Sequence, residues 1–472
     1  MSIYGVPVEI GEDIVSYLAR RDVLQFAFTC KEAYACALPS ILRDVSLSHR
    51  TKIEAEEQLQ AFCNYVLAHL SQRAPCIRSL TIGAPVFKGL QVYFKPDFAL
   101  TSDVARILAL ATGLRVLTVR GAERLFSNAP SQVVAAITSL KNLAEIHFED
   151  YAGPHALRIL SEMESRPAVV RLSSFDAPNC RLVPGRHHLL YNLTQSLVTL
   201  TLVNNLDLIQ VLEPGVVWPA VRHLTLGGVR DVASLPALAR GFPAVQKLEV
   251  YARCIDEKIG RDLWTRLESV SLDRPVPICR PVRNVELVGS DWVQEQLCLA
   301  VEMMMSMAPT SLTCRDADYW AVAQLVKCAA RTVRFVKFVH AKNTQSEGAY
   351  MLGGPCSVEG WLDAHYFNTL GQAPLNALVV PVDTVYLDAL GDQSAMHSSA
   401  RKAVVILDIA CGIAARIPTV VHIGLDLGHH PSGGQRWYKV ASRDAHHLRL
   451  EALREREGRE VERILAGSCD WV

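Results

Sequence analysis

The residue types suited to metal or acid–base chemistry gather near the C-terminus of this 472-residue sequence, where His422, Asp426, His429, His430, His446 and His447 follow closely on one another. Imidazoles with a carboxylate are what zinc sites use, but this spacing fits no closed structural site, and paired histidines in loops are ordinarily solvated. The glycines between 424 and 434 lead into no Lys-Ser/Thr end and form no G-x-G-x-x-G after a strand, so no phosphate cradle is expected. Met303, Met304, Met305 and Met307 lie in an apolar stretch of helical spacing, 297–308, and read as core filling. With no G-x-S-x-G, and no cysteine and histidine in a nucleophile context, the chain is expected to be non-catalytic, to need no cofactor and to hold no metal.

Composition narrows the partners. Half of the residues are hydrophobic and 20% are charged, which excludes wholesale disorder. Lys+Arg and Asp+Glu are both 48, so no global field draws the chain to nucleic acid or to a membrane. The most apolar stretch, 403–428, is broken by Asp408, Arg416 and Pro418, short of the roughly 18 residues a membrane span needs. Thirteen cysteines without a C-x-x-C pair or a signal peptide imply reduced thiols in the cytoplasm or nucleus.

The elements that matter begin at the N-terminus. Pro7 suits the first turn of a helix, after which Ile10, Ile14 and Leu18 recur four apart on one face. Arg20-Arg21 ends that helix, Asp22 is the expected N-cap of a second one carrying Val23, Leu24, Phe26, Ala27 and Phe28, and a third runs 31–38 and stops at Pro39. Three helices of roughly ten residues or fewer bury little surface by themselves, so something else must cover part of their apolar face.

Val6, Pro7, Glu9 and Ile10, the aliphatic helix, Asp22-Val23, Cys30-Lys31 and Tyr34 together resemble the F-box family over about a tenth of the chain. The resemblance implies docking to the Skp-type adaptor, and through it the cullin, of a ubiquitin ligase. The positions matching its adaptor contacts are Pro7, Ile10, Ile14, Val15, Leu18, Leu24 and Phe28. Val6 stands where leucine is usual and Tyr34 where tryptophan is commoner, which implies weaker adaptor affinity.

Beyond residue 50 one form repeats: apolar, two variable residues, apolar, variable, apolar. It occurs at Ile77/Leu80/Ile82, Leu114/Leu117/Val119, Leu143/Ile146/Phe148, Leu197/Leu200/Leu202, Val221/Leu224/Leu226, Val245/Leu248/Val250, Leu267/Val270/Leu272, Val282/Val285/Leu287 and Val333/Val336/Phe338. A degenerate copy sits at 169–174 and a last one at 420–425. Between 197 and 267 the interval is ~22 to 24 residues, around the leucine-rich-repeat range. Each copy predicts a short strand with alternate residues inward, and stretches of helical spacing precede several of them, at 104–111, 133–140, 156–163 and 235–239. Stacked strand–helix units share a core that no single unit can bury, so the chain resembles an irregular leucine-rich-repeat-like solenoid; asparagine after the strand is missing from most copies, Asn205 being the one candidate. A conventional α/β domain whose parallel strands look alike is the alternative.

Outward strand residues would then form the binding face. Arg120, His147, His223, Lys247, Tyr251 and Phe335 are the candidate contacts for a target protein, with the two aromatics as anchors. Further on, 342–360 reads as a long loop, 361–370 as a helix, and 442–466 as an amphipathic helix capping the open end of the array. The expected fold class is therefore α/β, with a three-helix F-box-like segment at 1–48, a solenoid at 49–340, and its irregular C-terminal part with loop insertion and capping helix at 341–472. This arrangement is similar to fungal-type F-box proteins with degenerate leucine-rich repeats. It implies a substrate-recognition subunit of a Skp–cullin–F-box ligase, or alternatively a scaffold of the same architecture acting outside the ligase.

Overall fold

The computed structural model describes residues 8–48, 51–83, 100–128, 131–150, 154–173, 190–204, 216–233, 235–254, 264–276, 278, 280–289, 294–315, 319–329, 331–339, 358–364, 367–382, 399–427, 434–444 and 447–466. Pro7, Asn205, His429, His430, His446 and most of the loop read at 342–360 lie outside them. The chain divides into two compact units, Met1–Ala233 with Ala237–Val245, and Ser234–Pro236 with Gln246–Val472. The division falls inside the segment 49–340 assigned to one array.

The first unit opens with α1 (Val8–Ser16), α2 (Arg20–Ala27) and α3 (Lys31–Arg43). Val15, Val23, Ala27 and Ala37 form their core, with Phe26, Tyr34 and Ile41 packed against it. Asp22 is not the N-cap: Ala19 occupies that position without a side-chain bond, and Asp22 sits in the first turn, where its charge favours the positive end of the helix dipole. Nor does Pro39 end α3. Proline removes one main-chain bond, but burial of Ala33, Ala37 and Leu42 on the same helix outweighs that loss, and the helix continues to Arg43.

Strands β1 (Asp44–Leu47), β2 (Ser79–Ile82), β3 (Val116–Arg120), β4 (Glu145–Glu149), β5 (Val169–Ser173), β6 (Thr199–Val203) and β7 (His223–Ala233) follow, each parallel to its predecessor. Between them lie α4 (Lys52–Leu67), α5 (Leu70–Arg73), α6 (Thr101–Leu110), α7 (Ala122–Asn128), α8 (Ser131–Thr138) and α9 (Pro154–Glu162). Register makes the repeat physical. Leu80, Leu117, Ile146, Val170, Leu200 and Leu224 stand opposite one another in a single row, each at most 2% exposed, with Ile107, Ile137, Ile159 and Leu160 of the helices also buried. Burying one such side chain contributes about 1.5–3 kcal/mol relative to leaving it in water. The sheet begins before the boundary at 48, because Val45 and Leu47 pair with Leu80 and Ile82.

Helix α10 (Leu235–Gly241) spans the division in sequence. The second unit contains β8 (Lys247–Cys254), β9 (Ser269–Leu272), β10 (Asn284–Val288), α11 (Gln294–Met307), β11 (Ser311–Arg315), α12 (Tyr319–Cys328), β12 (Phe335–Val339), α13 (Val358–Ala364), α14 (Phe367–Leu370), β13 (Ala377–Pro381), α15 (Ser399–Arg416) and β14 (His422–Asp426). Parallel pairing runs from β8 to β14 in order. Met303, Met304 and Met307 are buried, while Met305 is exposed.

The C-terminal end differs from the helix read at 442–466. Strands β15 (Gln435–Asp444) and β16 (His447–Leu453) pair antiparallel and continue the sheet from β14, and of this stretch α16 (Glu455–Ala466) is the helical part. Leu448, Leu450 and Ala452 alternate with Arg449 and Glu451, a period of two that charge had masked. The antiparallel pair supplies the last strands of the sheet; α16 lies elsewhere, on the strand face.

Candidate interaction surfaces

The N-terminal helices carry six large apolar side chains in water. Ile10 and Ile14 on α1, Tyr17 and Leu18 just after it, Leu24 on α2 and Phe28 at its end are all exposed, Phe28 at 88%. Of the positions assigned to adaptor contact, Val15 is placed otherwise: it is 1% exposed, inside the helices' own core, because one residue's advance turns a side chain about 100° around the helix from Ile14. Pro7 lies outside the described residues.

A polar network fastens these helices to the first strand–helix units. The Tyr34 hydroxyl on α3 is 2.5 Å from that of Tyr65 on α4, and Arg73 Nη2 donates to Tyr34 Oη at 3.0 Å. Arg73 also donates to the Tyr65 carbonyl and stacks its guanidinium 3.9 Å above the Tyr65 ring. Burial, then the bond to Tyr34, pushes the Tyr65 hydroxyl up to about 12. Neither Tyr65 nor Arg73 carries a local sequence motif that marks this network.

On the strand face of the first unit, Thr118, His147, Arg171, Thr201 and Thr225 stand in one row. Arg120 pairs with Glu149 across β3 and β4 at 3.2 Å. His147 Nδ1 is 3.4 Å from Thr118 Oγ1, and its buried Nε2 lies 3.5 Å from Glu145 without a hydrogen bond. Burial, and then the cation of Arg171, hold the His147 pKa below its ordinary value, against the pull of Glu145. His223 is half-buried beside Thr199 in the neighbouring row.

On β8 of the second unit, Lys247 pairs with Glu249 at 2.6 Å. Tyr251 is half-buried and its hydroxyl meets Ser271 Oγ at 3.0 Å; Ser271 donates to Glu286 Oε2 at 3.1 Å, and Arg315 Nη2 donates to Glu286 Oε1 at 2.8 Å. Phe335 is not on an open face. It is 1% exposed, in a cluster with Ala377, Val379 and Trp437 that Leu453, Val461, Leu465 and Ala466 cover. Lys337, on the same side of β12, forms an ion pair with Glu462 of α16. The helix expected to cap the array's end therefore lies across the strand face, and this is what removes Phe335 from solvent.

Among the described residues, no three His, Cys, Asp or Glu side chains converge as metal ligands. His422 is half-buried opposite Lys439, and burial and that cation lower its pKa. No helix among the described residues is long and apolar enough to cross a membrane. No protein-family model matches this chain, and a search of curated proteins finds no similar one.

Proposed function

We propose that the chain is a non-catalytic receptor subunit: its first helices form an F-box that docks on a Skp-type adaptor, and the strand faces of a leucine-rich-repeat-like array hold a target protein for ubiquitin transfer. The observation that carries this reading is the exposed set Ile10, Ile14, Leu18, Leu24 and Phe28 on helices that already have a core of their own. Large apolar side chains grouped in water mark an interaction site. Holding a target beside a conjugating enzyme acts through proximity, so the chain itself needs no catalytic group.

The test is co-purification of adaptor and cullin with the full chain and with Ile10→Ala/Leu18→Ala. The expected result is capture of both by the unaltered chain and loss of both with the variant, at an unchanged thermal transition. Adaptor without cullin would favour a scaffold outside the ligase. A transition that falls sharply would make the helices a structural cap instead.

A further inference from the structure

The strand face changes character along the second unit. From β8 to β11 it presents Lys247, Ser269, Asn284 and Ser311 in one row and Glu249, Ser271, Glu286 and Thr313 in the next. From β12 onward the same two rows become Phe335, Ala377, His422 and Lys439, and Lys337, Val379, Gly424 and Trp437. The result is an apolar patch of Phe335, Ala377, Val379 and Trp437, built in register, with Lys337 at one edge and His422 and Lys439 at the other.

Helix α16 covers that patch, and the fit is specific. Trp437 lies between two glycines: a Cβ at Gly424 would come 3.1 Å from its indole, and one at Gly458 of α16 would overlap its Cδ1 and Cγ. Val461 and Leu465 follow Gly458 at helical spacing and pack on the cluster, and Glu462 reaches Lys337.

The occupant nevertheless leaves one polar group of its seat without a partner. With α16 in place, Phe335, Ala377, Val379 and Trp437 are at most 2% exposed, while the helix keeps its outer side, including Ile464, in water. Trp437 Nε1 is buried beneath the helix without a hydrogen-bond partner. A buried donor left unmade is a penalty that a different occupant can relieve.

We propose that this patch is the target-binding surface, that its ligand is an amphipathic helix of a partner protein, and that α16 is an intrachain stand-in which the ligand displaces. The ligand helix carries a small residue, an aliphatic residue three positions on, a glutamate at four and an aliphatic residue at seven, as Gly458, Val461, Glu462 and Leu465 do. A side-chain acceptor facing Trp437 Nε1 would let it bind more tightly than α16 does. The inference deepens the receptor reading and rests on it only in calling the ligand a target.

The probe is a fluorescent peptide of the sequence 455–466, titrated by anisotropy into the full chain. Glu462→Lys in the chain weakens the intrachain helix and leaves the patch intact, so it should bind the unaltered peptide at least about tenfold more tightly than the unaltered chain does. Lys337→Glu/Glu462→Lys restores the intrachain pair and should lose that gain, and a peptide carrying Gly458→Leu should not bind any of these chains. Saturating peptide added to the unaltered chain should raise amide exchange across 455–466 while 335–339 stays protected. Equal affinity for the unaltered and Glu462→Lys chains, binding of the Gly458→Leu peptide, or unchanged exchange across 455–466 would each overturn the proposal. Loss of adaptor capture would not bear on it, since none of these measurements involves the N-terminal helices.

Discussion

The hydroxyls of Tyr34 and Tyr65 stand 2.5 Å apart, one on the last N-terminal helix and one on the helix that follows the first strand. With Arg73 bonded to the same Tyr34 oxygen, they fix the pose in which the exposed apolar side chains of α1 and α2 are presented. Tyr34→Phe removes both bonds with almost no change of shape. It should cost about 1 kcal/mol in urea denaturation and raise amide exchange in 31–43 more than in the strands.

A buried and an exposed apolar residue of the N-terminal helices should respond in opposite ways. Val15→Ala opens a gap among Val23, Ala27 and Ala37 and should cost about 2 kcal/mol of stability. Phe28→Ala, at an 88% exposed side chain, should leave the urea midpoint unchanged and weaken the proposed adaptor binding. A drop in midpoint for Phe28→Ala would show that its ring packs within the chain.

His147 makes part of the stability pH-dependent. Its folded pKa is lowered, by burial first and then by Arg171, so the neutral ring is the form the fold favours. Its contribution is present above the unfolded value near 6.5 and is lost as pH falls through the lower folded value. The stability advantage of the unaltered chain over His147→Asn should therefore shrink between about pH 7.5 and pH 5 in paired urea titrations. An advantage that grows on acidification would show that Glu145 outweighs burial.

Ser271 is 2% exposed and links Tyr251 to Glu286. Ser271→Ala should cost about 1 kcal/mol, because the Tyr251 hydroxyl and a Glu286 oxygen both lose a partner. Arg315→Met should cost less: its guanidinium is half-exposed and solvent screens the pair. Thermal melts of the two variants side by side check the order.

Much of the strand plan was legible locally. Three apolar positions at fixed spacing marked β2 to β10, β12 and β14, and their alternation placed polar residues such as His147 and Glu286 on the opposite face. Leu42, Val45 and Leu47 have the same form, but Leu42 belongs to the helix before it, which hides β1 from a local pattern. At β11, Pro309 and Cys314 stand where aliphatic residues mark the other copies. The apolar stretch 375–380 overlaps β13, but burial at all five positions erases the alternation by which a half-exposed strand is recognised.

The sequence by itself determined which residues alternate, where strands repeat, and that the first helices carry more apolar surface than they can bury, because each of these is a matter of neighbours along the chain. Only the tertiary structure decided which apolar residues remain in water. It put Val15 inside and Ile14 outside, and it buried Phe335 under a helix whose Glu462 is 125 residues from its partner Lys337. Burial on the second face of a strand depends on what folds back across it, and no local period records that.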